Sequence, residues 1–258
     1  MSIEVFNRYE KKFIMDHETY ETLRKALTSH MALDEYSKRN GFYTISNIYY
    51  DTPEDELILK SLEKPLYKEK LRLRAYGVPK LDDKVFLEIK KKYKGLVNKR
   101  RSTLILDEAY DFIASRQLPE KRSHQNRQVL KEIAFLMSRY DVQPSIYVAY
   151  DRIALFGEDL RITFDRNIRT RMTDLHLESG DHGRLILPKD QWLMEVKAEK
   201  TLPIWFVRLL SDNKLYPTSF SKVGKAYLTR DQETHHIIHK GEIVSCLNPY
   251  SLQQPVAL

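Results

Sequence analysis

Cysteine is almost absent: the 258 residues contain one, Cys246. No disulfide can form within the chain, and this points weakly to a reducing compartment. Glycine and proline are sparse, at 8 and 10 residues, which excludes a low-complexity or fibrous protein. No window approaches the ~18 uninterrupted apolar residues of a membrane helix. The first residues, MSIEVFNRYEKKF, scatter charge where a secretory signal needs an apolar segment. A soluble, cytoplasmic protein is therefore expected. Walker A and dinucleotide fingerprints are missing too, as is any constellation of Ser, Cys or His that would make a nucleophile.

Basic charge is what the chain has in excess. Its formal net charge is +7 and its pI near 9.2. That sign suits nucleic acid, acidic lipid or polyphosphate, and net charge does not choose among them. With 42% hydrophobic and 31% charged residues, the composition is that of an ordinary globular protein able to bury a sizeable core.

Hydrophobic periodicity predicts strands over 5–14, 43–50, 67–76, 85–92, 98–106, 145–155, 160–168 and 192–199. Helices are predicted over 16–31, in two pieces between 107 and 140 broken near Leu118-Pro119, after Pro203, and over 221–229. The signal Asp51-Thr52-Pro53-Glu54 ends the second strand in a turn and helix. No internal repeat or linker appears, so one domain is expected over 1–240, with a loosely held tail over 241–258.

Alternate side chains of a strand point to opposite faces. Lys68, Lys70, Arg72 and Arg74 share one face, against Leu71, Leu73 and Ala75. Glu88, Lys90 and Lys92 repeat the pattern, as do Lys99, Arg101 and Thr103, with Arg100 an alternative to either cation because the turn at Lys94-Gly95 leaves the register open. Arg152 stands in a further strand; Arg161, Thr163 and Asp165 alternate in another, and Glu195, Lys197 and Glu199 in the last. Arg8, Glu10 and Lys12 alternate in the first. Such faces are either the solvated exterior of a basic sandwich or the lining of a curled sheet. A lining of Lys and Arg alone is costly out of water, and a bound polyphosphate with a divalent metal against the carboxylates would balance it.

Three further signals carry less. His235 and His239 lie one helical turn apart beside His236, but lack supporting metal ligands. Residues 90–101 form a basic run without aromatic platforms, and no nucleic-acid partner is expected. Tyr49 and Tyr50 are placed for packing or for a nucleotide base, while Trp192, Trp205, Leu209 and Leu210 are predicted core residues.

In order along the chain stand Arg8-Tyr-Glu-Lys-Lys12, Tyr49-Tyr-Asp-Thr52, Leu71-Arg-Leu-Arg74, Phe86-Leu-Glu-Ile-Lys90, Tyr150-Asp-Arg152, Arg161-Ile-Thr-Phe-Asp165, Met194-Glu-Val-Lys197 and Phe220-Ser-Lys222. In order and spacing, over about residues 5–230, this set resembles the catalytic domain of the vacuolar transporter chaperone (VTC) polyphosphate polymerases, within the CYTH-like triphosphate tunnel metalloenzymes. The resemblance implies an α+β fold: a closed antiparallel β tunnel of about eight strands with flanking helices. It implies a phosphotransferase that moves the γ-phosphoryl group of ATP onto inorganic polyphosphate.

Carried onto this sequence, it gives Lys12, Arg72, Arg74, Lys90, Arg152, Arg161 and Lys222 as the phosphate-holding catalytic set. Lys99, Arg101, Lys197 and Arg8 are further substrate ligands. Glu195, with Glu10 and Glu88 as additional candidates, would take Mn²⁺ or Mg²⁺. Many tunnel hydrolases begin with Glu-x-Glu-x-Lys; here Arg8 holds the first position, which removes one metal ligand and adds a cation. The regulatory domain and export helices of the eukaryotic polymerases are not expected in this chain, and a membrane-protein partner is left open. A metal-dependent triphosphatase on the same tunnel and a non-catalytic polyphosphate binder are the alternatives.

Overall fold

The computed structural model describes residues 9–63, 65–94, 96–157, 160–198 and 201–230. Arg8, Cys246 and the histidines at 235, 236 and 239 lie outside them.

Among the described residues, ten strands and seven helices form an α+β architecture. They run β1 (Tyr9–Met15), α1 (His17–Leu27), β2 (Ala32–Leu33), α2 (Glu35–Asn40), β3 (Tyr43–Asp51), α3 (Glu56–Leu62), β4 (Tyr67–Tyr76), β5 (Lys84–Tyr93), β6 (Leu96–Ile105), α4 (Leu106–Ser115), α5 (Arg127–Arg139), β7 (Gln143–Phe156), β8 (Leu160–Arg171), β9 (Arg184–Leu185), β10 (Trp192–Ala198) and α6 (Ile204–Asp212). A last helix, α7, occupies 222–230.

All strands join one antiparallel sheet, with main order β1-β10-β8-β7-β3-β4-β5-β6; the short β2 pairs with β7 and β9 with β8. Among the described residues the terminal strands β1 and β6 are not paired with each other, so hydrogen bonds do not close the sheet. It is nevertheless strongly curled. Lys12 on β1 lies near enough to Lys70 on β4 to bear on its charge, and Lys90 on β5 acts likewise on Glu10 of β1. The free edge of β1 is partly covered, because the Thr218 N–H donates to the Lys12 carbonyl at 2.7 Å.

The outer face is apolar and roofed by helices. α5 starts at its cap Asn126, whose side chain accepts from the Val129 N–H, and buries Val129, Leu130, Ile133, Leu136 and Met137. With α4 it covers Leu71, Leu73, Leu87, Ile89 and Leu104 of β4, β5 and β6. α1 begins at Asp16, which accepts from the Thr19 N–H at 2.8 Å, and buries Tyr20, Leu23 and Leu27. With α6 it packs on Phe13, Ile162, Phe164, Met194 and Val196. Tyr20 stacks on Trp192 at 3.7 Å, so Trp192 is a core residue. Leu210 is buried as well, while Trp205 and Leu209 are only partly so. Each fully buried Leu or Phe contributes on the order of 1.5–3 kcal/mol.

Inside the curl, α3 and α7 fill part of the hollow. Ile58, Val223 and Ala226 pack there with Ile45, Val148, Tyr150 and Leu193. Asp51 directs α3, accepting from the N–H groups of Leu57 and Ile58 at 2.8 Å each. No helix among the described residues is long and apolar enough to cross a membrane.

Candidate functional site

Directly opposed residues of an antiparallel pair share a face. Along β4 and β5, Arg72 opposes Glu88, Lys70 opposes Lys90 and Lys68 opposes Lys92. From β5 to β6, Glu88 opposes Arg101 and Lys90 opposes Lys99, so both cations join the inner face. Arg100 opposes Ile89 and turns outward to an ion pair with Glu132 of α5. The register left open by the sequence is thereby fixed. Lys90, Lys92, Lys99 and Arg101 all face into the curl.

The other wall comes from β7, β8, β10 and β1. Arg152 opposes Asp165 and donates to it twice, at 2.6 and 2.7 Å. Arg161 opposes Lys197, and Lys197 opposes Glu10; Thr163 opposes Glu195, and Glu195 opposes Lys12. α7 adds Lys222, whose Nζ lies 2.6 Å from Asp165 and 2.9 Å from Glu195. Lys12 donates to the Phe220 carbonyl at 2.8 Å and lies 3.8 Å from Glu195.

Neighbouring acceptors, most of them neutral, aim the guanidinium groups. Arg72 donates to Glu88 at 2.6 Å and to the Tyr49 hydroxyl at 3.0 Å. Arg74 donates to Asn47 at 2.8 Å and to the Tyr150 hydroxyl at 3.2 Å. Tyr49 therefore serves Arg72, and Tyr50 is buried in the outer core under α4 and α5. Fixing a guanidinium in this way removes rotamer freedom before any ligand arrives.

Cations outnumber carboxylates on this face, and the charge balance shows in the titrating groups. Burial pushes Lys70 and Lys197 down to about 8, with Lys90, Lys68 and Lys12 adding repulsion at Lys70. Burial alone would raise Glu195, but Lys222, Lys12, Arg152 and Lys197 outweigh it and hold the carboxyl well below its usual range. Glu88 is likewise held low against burial, by Arg72, Arg74 and Lys99. At Glu10, burial and Glu195 push upward, and Lys197, Lys90 and Lys12 overcome both. Among the described residues of this face, two buried side-chain donors have no hydrogen-bond partner: Arg161 Nε and Thr163 Oγ1.

All the phosphate-holding candidates within the described residues thus stand on one concave face, together with Glu10, Glu88 and Glu195. Among the described residues, no three His, Cys, Asp or Glu side chains gather as a metal cage. Glu88 is engaged by Arg72 at 2.6 Å and Lys99 at 2.9 Å. Glu195 and Glu10 are close enough to repel one another, and Lys12 lies between them at 3.8 and 3.5 Å, where a metal ion would compete with its ammonium group. Sequence reasoning missed the part played by Asp165. It is fully buried between Arg152 and Lys222, yet in the strand pattern it reads as one more alternating polar residue.

A model of the VTC domain matches residues 7–229. This chain belongs to the VTC domain family. One solved structure agrees on the fold, and two further ones are similar at lower scores. A candidate adenylate cyclase from Bacillus halodurans superposes with a TM-score of 0.53 at 15% identity, covering 85% of this chain and 96% of that one. A candidate adenylate cyclase from Vibrio parahaemolyticus gives 0.47 at 13% identity, covering 87% and 99%. One from Hippeastrum, described as having a dominant triphosphatase activity, gives 0.46 at 16% identity, covering 91% and 96%. No curated protein matches the chain. At such identities the first structure speaks to the fold of this VTC domain alone.

Proposed function

We propose that this VTC domain is a polyphosphate polymerase, which transfers the γ-phosphoryl group of ATP to the end of an inorganic polyphosphate chain. The observation that carries the reading is the inner face itself: partly desolvated Lys and Arg in excess of carboxylates, with the buried Arg161 Nε and Thr163 Oγ1 still lacking acceptors. A polyanion supplies both the missing charge and the missing acceptors.

Phosphoryl transfer asks the protein for positioning and charge neutralisation more than for covalent chemistry. A terminal phosphate oxygen of the bound chain attacks the γ-phosphorus. The bond from that phosphorus to the β,γ-bridging oxygen breaks, ADP leaves with the electron pair, and the chain is one phosphate longer. Arg72, Arg74, Lys90, Lys99 and Arg101 grip phosphate oxygens from one wall, and Arg152, Arg161, Lys197, Lys12 and Lys222 from the other. Glu195 with Glu10 would hold Mn²⁺ or Mg²⁺ jointly with phosphate oxygens, and the metal would neutralise charge building on the leaving group.

The test is incubation of purified protein with ATP and Mn²⁺, the products being resolved on a gel beside a Glu195→Gln control. A ladder of long chains with matching ADP is expected. Free phosphate without chains would replace the polymerase by a triphosphatase. No turnover together with tight polyphosphate binding would leave a binding module.

A further inference from the structure

Most cations of the inner face lie against a carboxylate. Arg72, Arg74 and Lys99 stand 2.6, 3.9 and 2.9 Å from Glu88, and Lys197 stands 3.7 Å from Glu10. Lys70 does not share this arrangement. Among the described residues it makes no ion pair and no hydrogen bond, although it occupies the same face of β4. Its cross-strand partner is a second lysine, Lys90, and Lys68 precedes it by one rung. Lys12 of β1 repels it from across the curl, while Tyr49 of β3 acts in its favour. Lys70 is only half-buried, so a small solute can reach it.

Two properties decide how a lysine meets an electrophile: the share present as free amine, and what is held beside it. Burial, with repulsion from Lys90, Lys68 and Lys12, brings Lys70 down to about 8. At pH 7 roughly a tenth of it is then free amine, against less than about a thousandth of an ordinary lysine. Lys197 is brought down equally far, but Glu10 engages its ammonium group at 3.7 Å. Beside Lys70, about 6–7 Å along the strand, stands Arg72. Glu88 and the Tyr49 hydroxyl fix its guanidinium at 2.6 and 3.0 Å. A phosphate group held there is therefore next to a nucleophile that carries no proton to lose first.

We infer that Lys70 is a self-acylation site whose donor is an acyl phosphate. The inference rests on the anion-binding part of the reading above and adds a covalent control to it. The phosphate end of the donor lies on Arg72 and Lys90, with its carbonyl carbon beside Lys70 Nζ. The free amine attacks that carbon, and the bond from the carbon to the oxygen bridging to phosphorus breaks. Inorganic phosphate leaves with the electron pair, the nitrogen gives up one proton to water, and an amide remains. An acyl donor without a phosphate meets the same amine but is not held. Acylation removes one positive charge from the middle of the row and puts an acyl group where phosphates would lie. It therefore weakens polyanion binding.

The test treats purified protein with acetyl phosphate and follows each lysine by peptide mass spectrometry. Lys70 should be acetylated about tenfold faster than the exposed Lys80. Inorganic triphosphate, without divalent metal, should protect Lys70 and not Lys80. With p-nitrophenyl acetate, which carries no phosphate, the preference for Lys70 should shrink severalfold. No preference with acetyl phosphate would sink the site, and an equal preference with both donors would sink the acyl phosphate as its donor. Calorimetry reads the consequence: treated wild type should bind inorganic triphosphate about tenfold more weakly than untreated wild type. Lys70→Arg, treated alike, should bind it as its own untreated form does, and equal losses in both proteins would overturn the control at Lys70. In each of these failures, triphosphate binding by untreated wild type leaves the phosphate reading standing. Its absence would sink that reading and this site together.

Discussion

Lys222 Nζ stands 2.6 Å from Asp165 Oδ2, and this contact ties the final helix to strand β8 inside the curl. The same carboxylate receives both arms of Arg152. Asp165 is fully buried, so it serves two cations while having no contact with water. Its part is to make the cationic wall tolerable in the absence of substrate.

Asp165→Ala should therefore destabilise the protein by about 3–5 kcal/mol, since it leaves two buried cations sharing only Glu195. Urea unfolding measures the loss. Added inorganic triphosphate should restore more stability to the variant than it gives to wild type. An equal gain in both would mean that Asp165 does not stand in for an anion.

Neighbours on β6 should behave in opposite ways. Arg101→Ala is expected to weaken polyphosphate binding by tenfold or so, about 1.4 kcal/mol, because its charge faces the curl. Arg100→Ala should leave that affinity unchanged and cost about 1 kcal/mol of stability through its ion pair with Glu132. Binding assays on the two variants check the register directly; the reverse ranking would refute it.

Binding and stability should respond to pH in opposite senses. Lys70 and Lys197 are held at about 8 in the folded protein, against ~10.4 for an unfolded lysine. As pH rises through 8 they lose charge, so polyphosphate affinity should fall between pH 7 and 9. Between about pH 8 and 10.4 the unfolded chain binds more protons than the folded one, so these lysines make stability rise with pH. Titration calorimetry and thermal unfolding across that range read the two trends.

Glu195→Gln should abolish turnover with ATP and Mn²⁺ while polyphosphate binding is kept or strengthened. The substitution removes a negative charge from among Lys12, Lys222 and Arg152 and takes away a proposed metal ligand. Parallel gel and binding assays separate the two effects; joint loss of binding would place Glu195 in support of the wall instead.

Much of this was legible in the chain. Alternation at Lys70, Arg72 and Arg74, and again at Glu88 and Lys90, grouped these residues on one face, because a two-residue period survives whatever the sheet does, but left open whether that face lay inside or outside. What alternation cannot carry is the geometry between strands. Arg100 and Arg101 differ only by the register of one turn, and the separation of the β1 and β6 edges depends on the summed twist of eight strands. Helix α2 was invisible for another reason. Glu35, Ser37, Lys38, Arg39 and Asn40 have no apolar rhythm, so the short helix reads as a loop. Asp165 looked like its neighbours because burial, not residue type, gives it its task.

The regular spacing of cations along β4 has one more consequence. Lys68, Lys70, Arg72 and Arg74 recur at every second residue, about 6–7 Å apart along the strand. A polyanion lying on them would meet a row of evenly spaced cationic wells instead of a single deep one. Shifting by a rung exchanges one set of contacts for a similar set, so friction along the strand is low although release into water is not. For the proposed polyphosphate ligand, such a surface would work as a rail, holding a long chain firmly and still letting it slide.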